Sequence, residues 1–188
     1  MLVTSLEARD AFMFGHSVRV AQLGASLADA LGRPEDEVEA VRLAGRLHDI
    51  GMLLISDRVV NREGRLTPEE FDQVRNHPLV GHQVLLPYPH LSDVARFVRG
   101  HHERWDGHGY PDGLAGEDIP WGARILGVAE TYDALVTRRA YRSEILTPEQ
   151  ADAEVQRLAG KALDPAVCGA PSRVIGRGRT LEFVLDPA

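Results

Sequence analysis

At 188 residues, with 44% hydrophobic and 26% charged side chains, the chain is long enough to bury one sizeable core and falls outside the disordered and fibrous classes. Its formal charge of −7 argues against a nucleic-acid polymer as partner, since backbone binding calls for a basic face, but leaves room for a small anionic ligand met by a local cluster such as Arg138, Arg139 and Arg142. The single cysteine, Cys168, excludes an internal disulfide and points to a reducing compartment, and no apolar run approaches the ~20 residues of a membrane span, so a cytoplasmic location without membrane contact is expected.

Leu6, Phe12, Val18, Val20, Leu23, Leu27 and Leu31 recur mostly at three- and four-residue separations. This predicts one long helix over 5–31, or one broken near Gly15, with Gly32 as its stop. Pro34 suits a first helical position and Glu35, Asp36 and Glu37 complement the helix dipole, so a second helix runs to about His48 with Val38, Val41, Ala44 and Leu47 facing inward. Gly51 reads as its C-cap, which sets His48 and Asp49 in the last turn. Residues 52–66 look irregular.

Thr67, Pro68 and Glu70 form a capping-box pattern that opens a helix to about Asn76. "HPLVGHQVLLP" is a short helix ended by Pro87, and "SDVARFVRGHHE" is another, with Ser92 as N-cap and His101 and His102 at its far end. Residues 106–120 are rich in glycine and proline and read as a structured loop, a common seat of functional residues. Trp121 to Thr137 is helical with Ile125, Val128, Ala129, Tyr132 and Leu135 as its buried stripe, and Glu130 and Asp133, three apart, nearly share a face. Thr147, Pro148 and Gln150 open a last helix to about Ala159, after which "SRVIGRGRTLEFVL" alternates weakly, as a hairpin or extended tail would.

The histidines are placed with a bias that scattered surface residues lack. His16, His48, His77, His101 and His102 fall at predicted helix ends or on amphipathic helices, with Asp49, Glu130 and Asp133 as nearby carboxylates. Mixed imidazole and carboxylate ligation suits iron, manganese, zinc or nickel, and the lack of cysteine ligands disfavours a structural zinc site. Asp49 is able to bridge two ions. His82, His90 and His108 have no such setting and read as ordinary side chains. No GxSxG elbow or GxxxxGK[ST] phosphate loop is present, which disfavours serine hydrolase and P-loop chemistry.

"GHSVRV" at 15–20, "LHDIG", "LTPEEFDQVRNHPLVG", "HHERWDGHGYPDGLAGEDIPWGARIL", "YDALVTRRAYR" and "LDPAV" together resemble the HD-GYP family, bacterial phosphohydrolases of the HD metal-dependent superfamily. The resemblance implies an all-α bundle over 1–168, followed by a tail or small hairpin over 169–188. It implies hydrolysis of cyclic di-GMP, to the linear dinucleotide or to GMP, by a metal-activated hydroxide. His16, His48, Asp49, His77, His101, His102 and Glu130 match the family's metal ligands. The implied division sets His16, His48, Asp49 and Glu130 on one ion and Asp49, His77, His101 and His102 on the other, both ions being iron or manganese. His48, Asp49 and His101 would stand at the centre of catalysis, Gly109 and Tyr110 would shape the ligand pocket, and Arg139 and Arg142 would contact phosphate. Glu103, Trp105 and Asp106 would steady the loop. A diguanylate cyclase or a sensor or receiver domain is the kind of protein partner the family implies.

The chain departs from the family pattern at four places. Met52 stands where "HDIGK" has lysine and cannot hold a phosphate oxygen. Glu130 stands where aspartate is usual, and its extra methylene shifts the carboxylate by about one bond length, where errors near 1 Å can cost ~10²-fold in rate. Phe12 replaces the glutamate of three-metal members, and Arg139-Ala140 replaces an arginine-proline pair. Met52 keeps a rival reading in view, a domain that binds metal or dinucleotide without turnover and acts through a protein partner. A further reading keeps the hydrolase but changes the substrate to another nucleotide or phosphoester.

Overall fold

A computed structural model of the protein describes residues 15–60, 62, 64–137, 145–170 and 174. Among them the regular elements are all helices, as expected, with one isolated bridge between Ala159 and Leu163 and no strand. The helices are α1 (His16–Ala30), α2 (Glu35–Leu47), α3 (Asp57–Val60), α4 (Pro68–Arg75), α5 (His77–Leu85), α6 (Ser92–Gly100), α7 (Trp121–Val136), α8 (Pro148–Leu158) and α9 (Pro165–Cys168). Short 3₁₀ turns cover Ile50–Leu54, Pro89–Leu91 and Gly116–Asp118.

Local signals account for most of these boundaries. Helix α1 starts at His16, directly after Gly15, which adopts φ 70°; the part of the expected helix before Gly15 lies outside the described residues. Gly32, at φ 75°, follows the end of α1, and Arg33 N–H reaches back to Ala28 O at 3.1 Å. Both capping boxes form, Thr67 with Glu70 and Thr147 with Gln150, each with proline next in the chain.

Two expectations are corrected. Ser92 is the first residue of α6 rather than its cap, because the 3₁₀ turn over Pro89–Leu91 leads into it and Leu91 takes the cap position. Residues 52–66 are more regular than expected, holding the rest of the Ile50–Leu54 turn and α3.

Helices α1, α2, α6 and α7 pack as the centre of the molecule, with Val20, Leu27, Val41, Phe97, Val98, Ile125, Leu126 and Tyr132 buried between them. Each such side chain contributes on the order of 1.5–3 kcal/mol through removal from water. The core extends through Val155, Val167 and Cys168 to Ala170 and Val174. Burial pushes the Cys168 thiol up to about 12, which suits a small buried residue and not a nucleophile. Residues 1–14, most of the chain beyond 170 and the expected hairpin around Gly176 and Gly178 lie outside the described residues. Among the described residues no helix is long and apolar enough to cross a membrane.

Candidate metal centre

Every residue of the candidate centre except Glu130 sits at a helix end. His16 opens α1, His48 caps α2 with Asp49 next to it, His77 opens α5, and His101 caps α6 with His102 following. Helix ends from four elements therefore converge on one point, and His16, His48, Asp49, His77 and His101 are buried there. Their rings form a continuous array, with centroid separations of 5.1 Å for His16–His48, 5.2 Å for His48–His101, 5.2 Å for His77–His101 and 4.2 Å for His101–His102.

Two groups of donor atoms lie within ligation reach of one another, His16 with His48 and Asp49, and His77 with His101 and His102. Asp49 joins them: Oδ2 is 3.1 Å from His48 Nε2 and Oδ1 is 3.2 Å from His77 Nε2.

Local backbone geometry sets the tautomers. His48, His77 and His101 each donate from Nδ1 to the carbonyl three residues back, Gly45 at 2.8 Å, Val74 at 2.7 Å and Val98 at 2.6 Å. That turns Nε2 toward the centre, where in the neutral ring it offers a lone pair. His77 Nε2 and His101 Nε2 then face each other at 3.2 Å, and buried His48 Nε2 has Asp49 Oδ2 at 3.1 Å but no hydrogen bond. Lone pairs that close repel unless a cation lies between them, so the donor set fits divalent metal ions.

The charges agree with this. Burial, reinforced by the neighbouring imidazoles, holds His101 well below the ordinary histidine range, and burial also lowers His102. Burial would lower His48 as well, but the Asp49 carboxylate beside it outweighs that and lifts it to about 9. For Asp49 burial opposes ionisation, yet His48 and His77 hold its carboxyl well below the usual range. A metal ion would displace the His48 proton, the ordinary coupling of metal binding to proton release.

Asp133 is the residue whose position spacing alone left open. It is buried and accepts from His16 Nδ1 at 2.7 Å and from Arg19 Nε at 2.6 Å. Burial would raise its carboxyl, but these two bonds and their charges hold it below the ordinary carboxylate range. Asp133 therefore positions His16 from behind. Arg19 was missed in the sequence, although its place three residues after His16 puts it on the same helical face. Replacing Asp133 with asparagine is expected to weaken metal affinity about 10–100-fold, read by calorimetric titration with manganese(II), because the His16 ring loses its anchor.

Glu130 lines the mouth of the centre, with Oε2 3.9 Å from His102 Nδ1, so its described contact is to a member of the group that the expected division gives to the other ion. A cavity of ≈ 390 Å³ opens there, onto His101, His102, Tyr110 and Glu130. One side of it is the 103–118 loop and the other is α7 with Ala162 and Leu163. The loop is folded around one carboxylate: Glu103 accepts from the backbone N–H groups of Asp112 at 2.7 Å, Gly113 at 3.1 Å and Leu114 at 3.1 Å. Burial raises the Glu103 carboxyl despite these donors. Gly109 permits the fold-back, since a Cβ there would lie 2.3 Å from Arg104 N and 2.5 Å from Glu103 Cα. Tyr110 N–H donates to His102 O at 3.2 Å, which brings its ring over His102 at 4.8 Å, and the Tyr110-Pro111 peptide is cis.

Gly51 corrects a third expectation. It is no left-handed C-cap but part of the 3₁₀ turn after Asp49, and a Cβ on it would lie 2.0 Å from His77 O. The residue is glycine because two ligand-bearing segments cross in backbone contact. His82 bonds Ala95 O at 3.0 Å, His90 meets Tyr88, and His108 lies in the loop, all three outside the cluster. Phe12, Arg138, Arg139, Ala140 and Arg142 lie outside the described residues.

A family model described as HD domain matches residues 1–167. A cyclic di-GMP phosphodiesterase of Thermotoga maritima is 39% identical over 163 residues, covering 86% of this chain and 44% of that protein. The cyclic di-GMP phosphodiesterase response regulator RpfG of Xanthomonas campestris is 37% identical over 166 residues, covering 87% and 44%. The chain thus spans less than half the length of these relatives. Among solved structures, a cyclic GMP-AMP specific phosphodiesterase of Vibrio cholerae matches 97% of this chain and 50% of its own with a TM-score of 0.71 at 19% identity, a likeness of fold.

Proposed function

The chain belongs to the HD-GYP branch of the HD domain family, and from that footing we propose that it is a metal-dependent phosphodiesterase hydrolysing cyclic di-GMP to the linear dinucleotide or to GMP. The observation that carries this reading is the single carboxylate of Asp49 standing between two groups of imidazole nitrogens. His16, His48, Asp49 and Glu130 would hold one divalent ion and Asp49, His77, His101 and His102 the other, with iron or manganese suited to such donors. When bound, the ions supply Lewis-acid charge to the phosphoryl group and an activated water.

The protein's own residues bind and orient. The Nδ1 anchors of His48, His77 and His101 hold their rings without side-chain freedom, and Asp133 does the same for His16. Burial keeps His101 neutral and able to donate a lone pair. Tyr110 forms the side of the cavity, Gly109 lets the loop close behind it, and Arg139 and Arg142 would clamp phosphate bidentately.

Met52 favours the rival reading. It follows Asp49 in the 3₁₀ turn, donating its N–H to Asp49 O at 2.8 Å, and brings no charge to the phosphate. One experiment separates the two: elemental analysis of the purified protein, then cyclic di-GMP turnover with added manganese(II) or iron(II). About two metals per chain and hydrolysis that is lost in His101→Ala are expected. Metals without hydrolysis would make the protein a receptor, and no metal after reconstitution under reducing conditions would sink the site. Cleavage of another phosphoester with cyclic di-GMP untouched would keep the hydrolase and change the substrate.

A further inference from the structure

The loop beside the metal centre is held to itself far more than to the helices. Among the described residues, the backbone N–H groups of its tip, 107–114, bond only to residues 102–106 of the same segment, all beyond the end of α6. Gly107 reaches Arg104 O, His108 reaches Asp106 Oδ1, Tyr110 reaches His102 O, and Asp112, Gly113 and Leu114 gather on Glu103. The near leg is docked on the end of α8, with Trp105 N–H on Ala162 O at 3.1 Å and Asp106 N–H on Lys161 O at 2.8 Å. These bonds give the loop its shape and fix where it begins, but none of them ties the tip to a helix.

One side-chain pair does. Asp112 Oδ2 and Oδ1 accept from Arg99 Nε and Nη2, each at 2.7 Å. Two parallel bonds between a guanidinium fork and a carboxylate fix direction as well as distance. Arg99 stands in the last turn of α6, next to Val98, whose carbonyl anchors His101 Nδ1. The tip is thereby registered on the helix that delivers His101 and His102. Asp112 lies two residues from Tyr110, and Pro111 between them has its φ locked by the ring. Once Asp112 is held, Tyr110 has little room to move, and its ring stands 4.8 Å from that of His102. Arg99 itself belongs to neither group of donor atoms and does not line the cavity.

We propose that Arg99, through its pair with Asp112, is a positioning residue that holds the Tyr110 ring against His102 and so sets the width of the mouth of the metal centre. The assignment rests on the phosphodiesterase reading only for its effect on turnover. Both side chains are about one third exposed, 29% and 34%, so breaking the pair should leave the melting temperature within about 2 °C of the wild type while it frees the tip.

The test is fluorine NMR of the whole protein labelled with 3-fluorotyrosine. Its four tyrosines are assigned by single Tyr→Phe substitutions, and the change in shift between ordinary and heavy water reports how far solvent reaches each ring. Tyr132, 1% exposed, reports on the core, and Tyr88, 52% exposed, marks an open ring. Arg99→Met should move the Tyr110 solvent response toward that of Tyr88 and leave Tyr132 unchanged. Asp112→Asn should do the same, and the double variant should add nothing, because both substitutions break one pair. Arg99→Lys should recover only part of the wild-type response, since an ammonium cannot form both bonds. Metal content should stay at the wild-type level, while KM for cyclic di-GMP rises about three- to tenfold with kcat nearly kept, the pattern of a lost ring contact made equally in ground and transition states. A Tyr110 signal unmoved in both single variants, additive effects in the double variant, or a Tyr132 signal that moves with Tyr110 would each overturn the assignment. The expected fluorine pattern in a protein that hydrolyses nothing would overturn the phosphodiesterase reading and leave the positioning role standing.

Discussion

Asp49→Asn is expected to lower cyclic di-GMP turnover by ~10³-fold or more. The substitution keeps the shape of the side chain and removes the negative charge that stands between His48 and His77, at 3.1 and 3.2 Å. An amide has one oxygen to offer where the carboxylate has two, so it cannot serve both groups of imidazoles. Its NH₂ would also aim protons at one of the Nε2 atoms, where a cation is needed. Metal stoichiometry and kcat/KM should therefore fall together, measured by elemental analysis and by product chromatography on the same samples. Turnover within tenfold of the wild type, with metals retained, would show that Asp49 does not bridge the two groups.

Gly51→Ala is expected to destabilise the fold by about 3–5 kcal/mol, with a fall in melting temperature of about 10 °C. The added Cβ would lie 2.0 Å from His77 O, 2.8 Å from Gly81 N and 2.9 Å from His77 C, all of them backbone atoms that cannot turn aside. The 3₁₀ turn and the start of α5 must separate to admit it, and this carries Asp49 away from His77, so metal affinity should fall as well. Gly169→Ala provides the control, since nothing lies within 4 Å of a Cβ there and the residue has an ordinary negative φ of −74°. Circular dichroism melts of the three proteins check the point, and a Gly51→Ala protein that melts with the wild type would refute the close crossing.

The helices and their order are legible in the sequence where the cause is local. Thr67 with Glu70 and Thr147 with Gln150 bond within four residues, so the pattern of residue types already specifies the geometry. The same holds for His48, His77 and His101, whose Nδ1 atoms bond carbonyls three residues back along the chain. Gly51 shows the opposite case. A glycine after "LHDI" is equally consistent with a left-handed cap and with a close crossing, and the choice is made by His77, which lies 26 positions away in the chain.

What the sequence determined by itself is the all-α class, the placement of most ligand candidates at helix ends and the family, because periodicity, capping and contiguous motifs are properties of neighbours along the chain. What only the tertiary structure decided is which of these groups meet. The bond from His16 to Asp133 spans 117 positions, the Nε2 contact of His77 and His101 spans 24, and the approach of Arg75 to Tyr110 joins two segments with α5 and α6 between them. Such contacts depend on how helices pack, and packing is set by the summed shape of the whole core, which no local run of residues encodes.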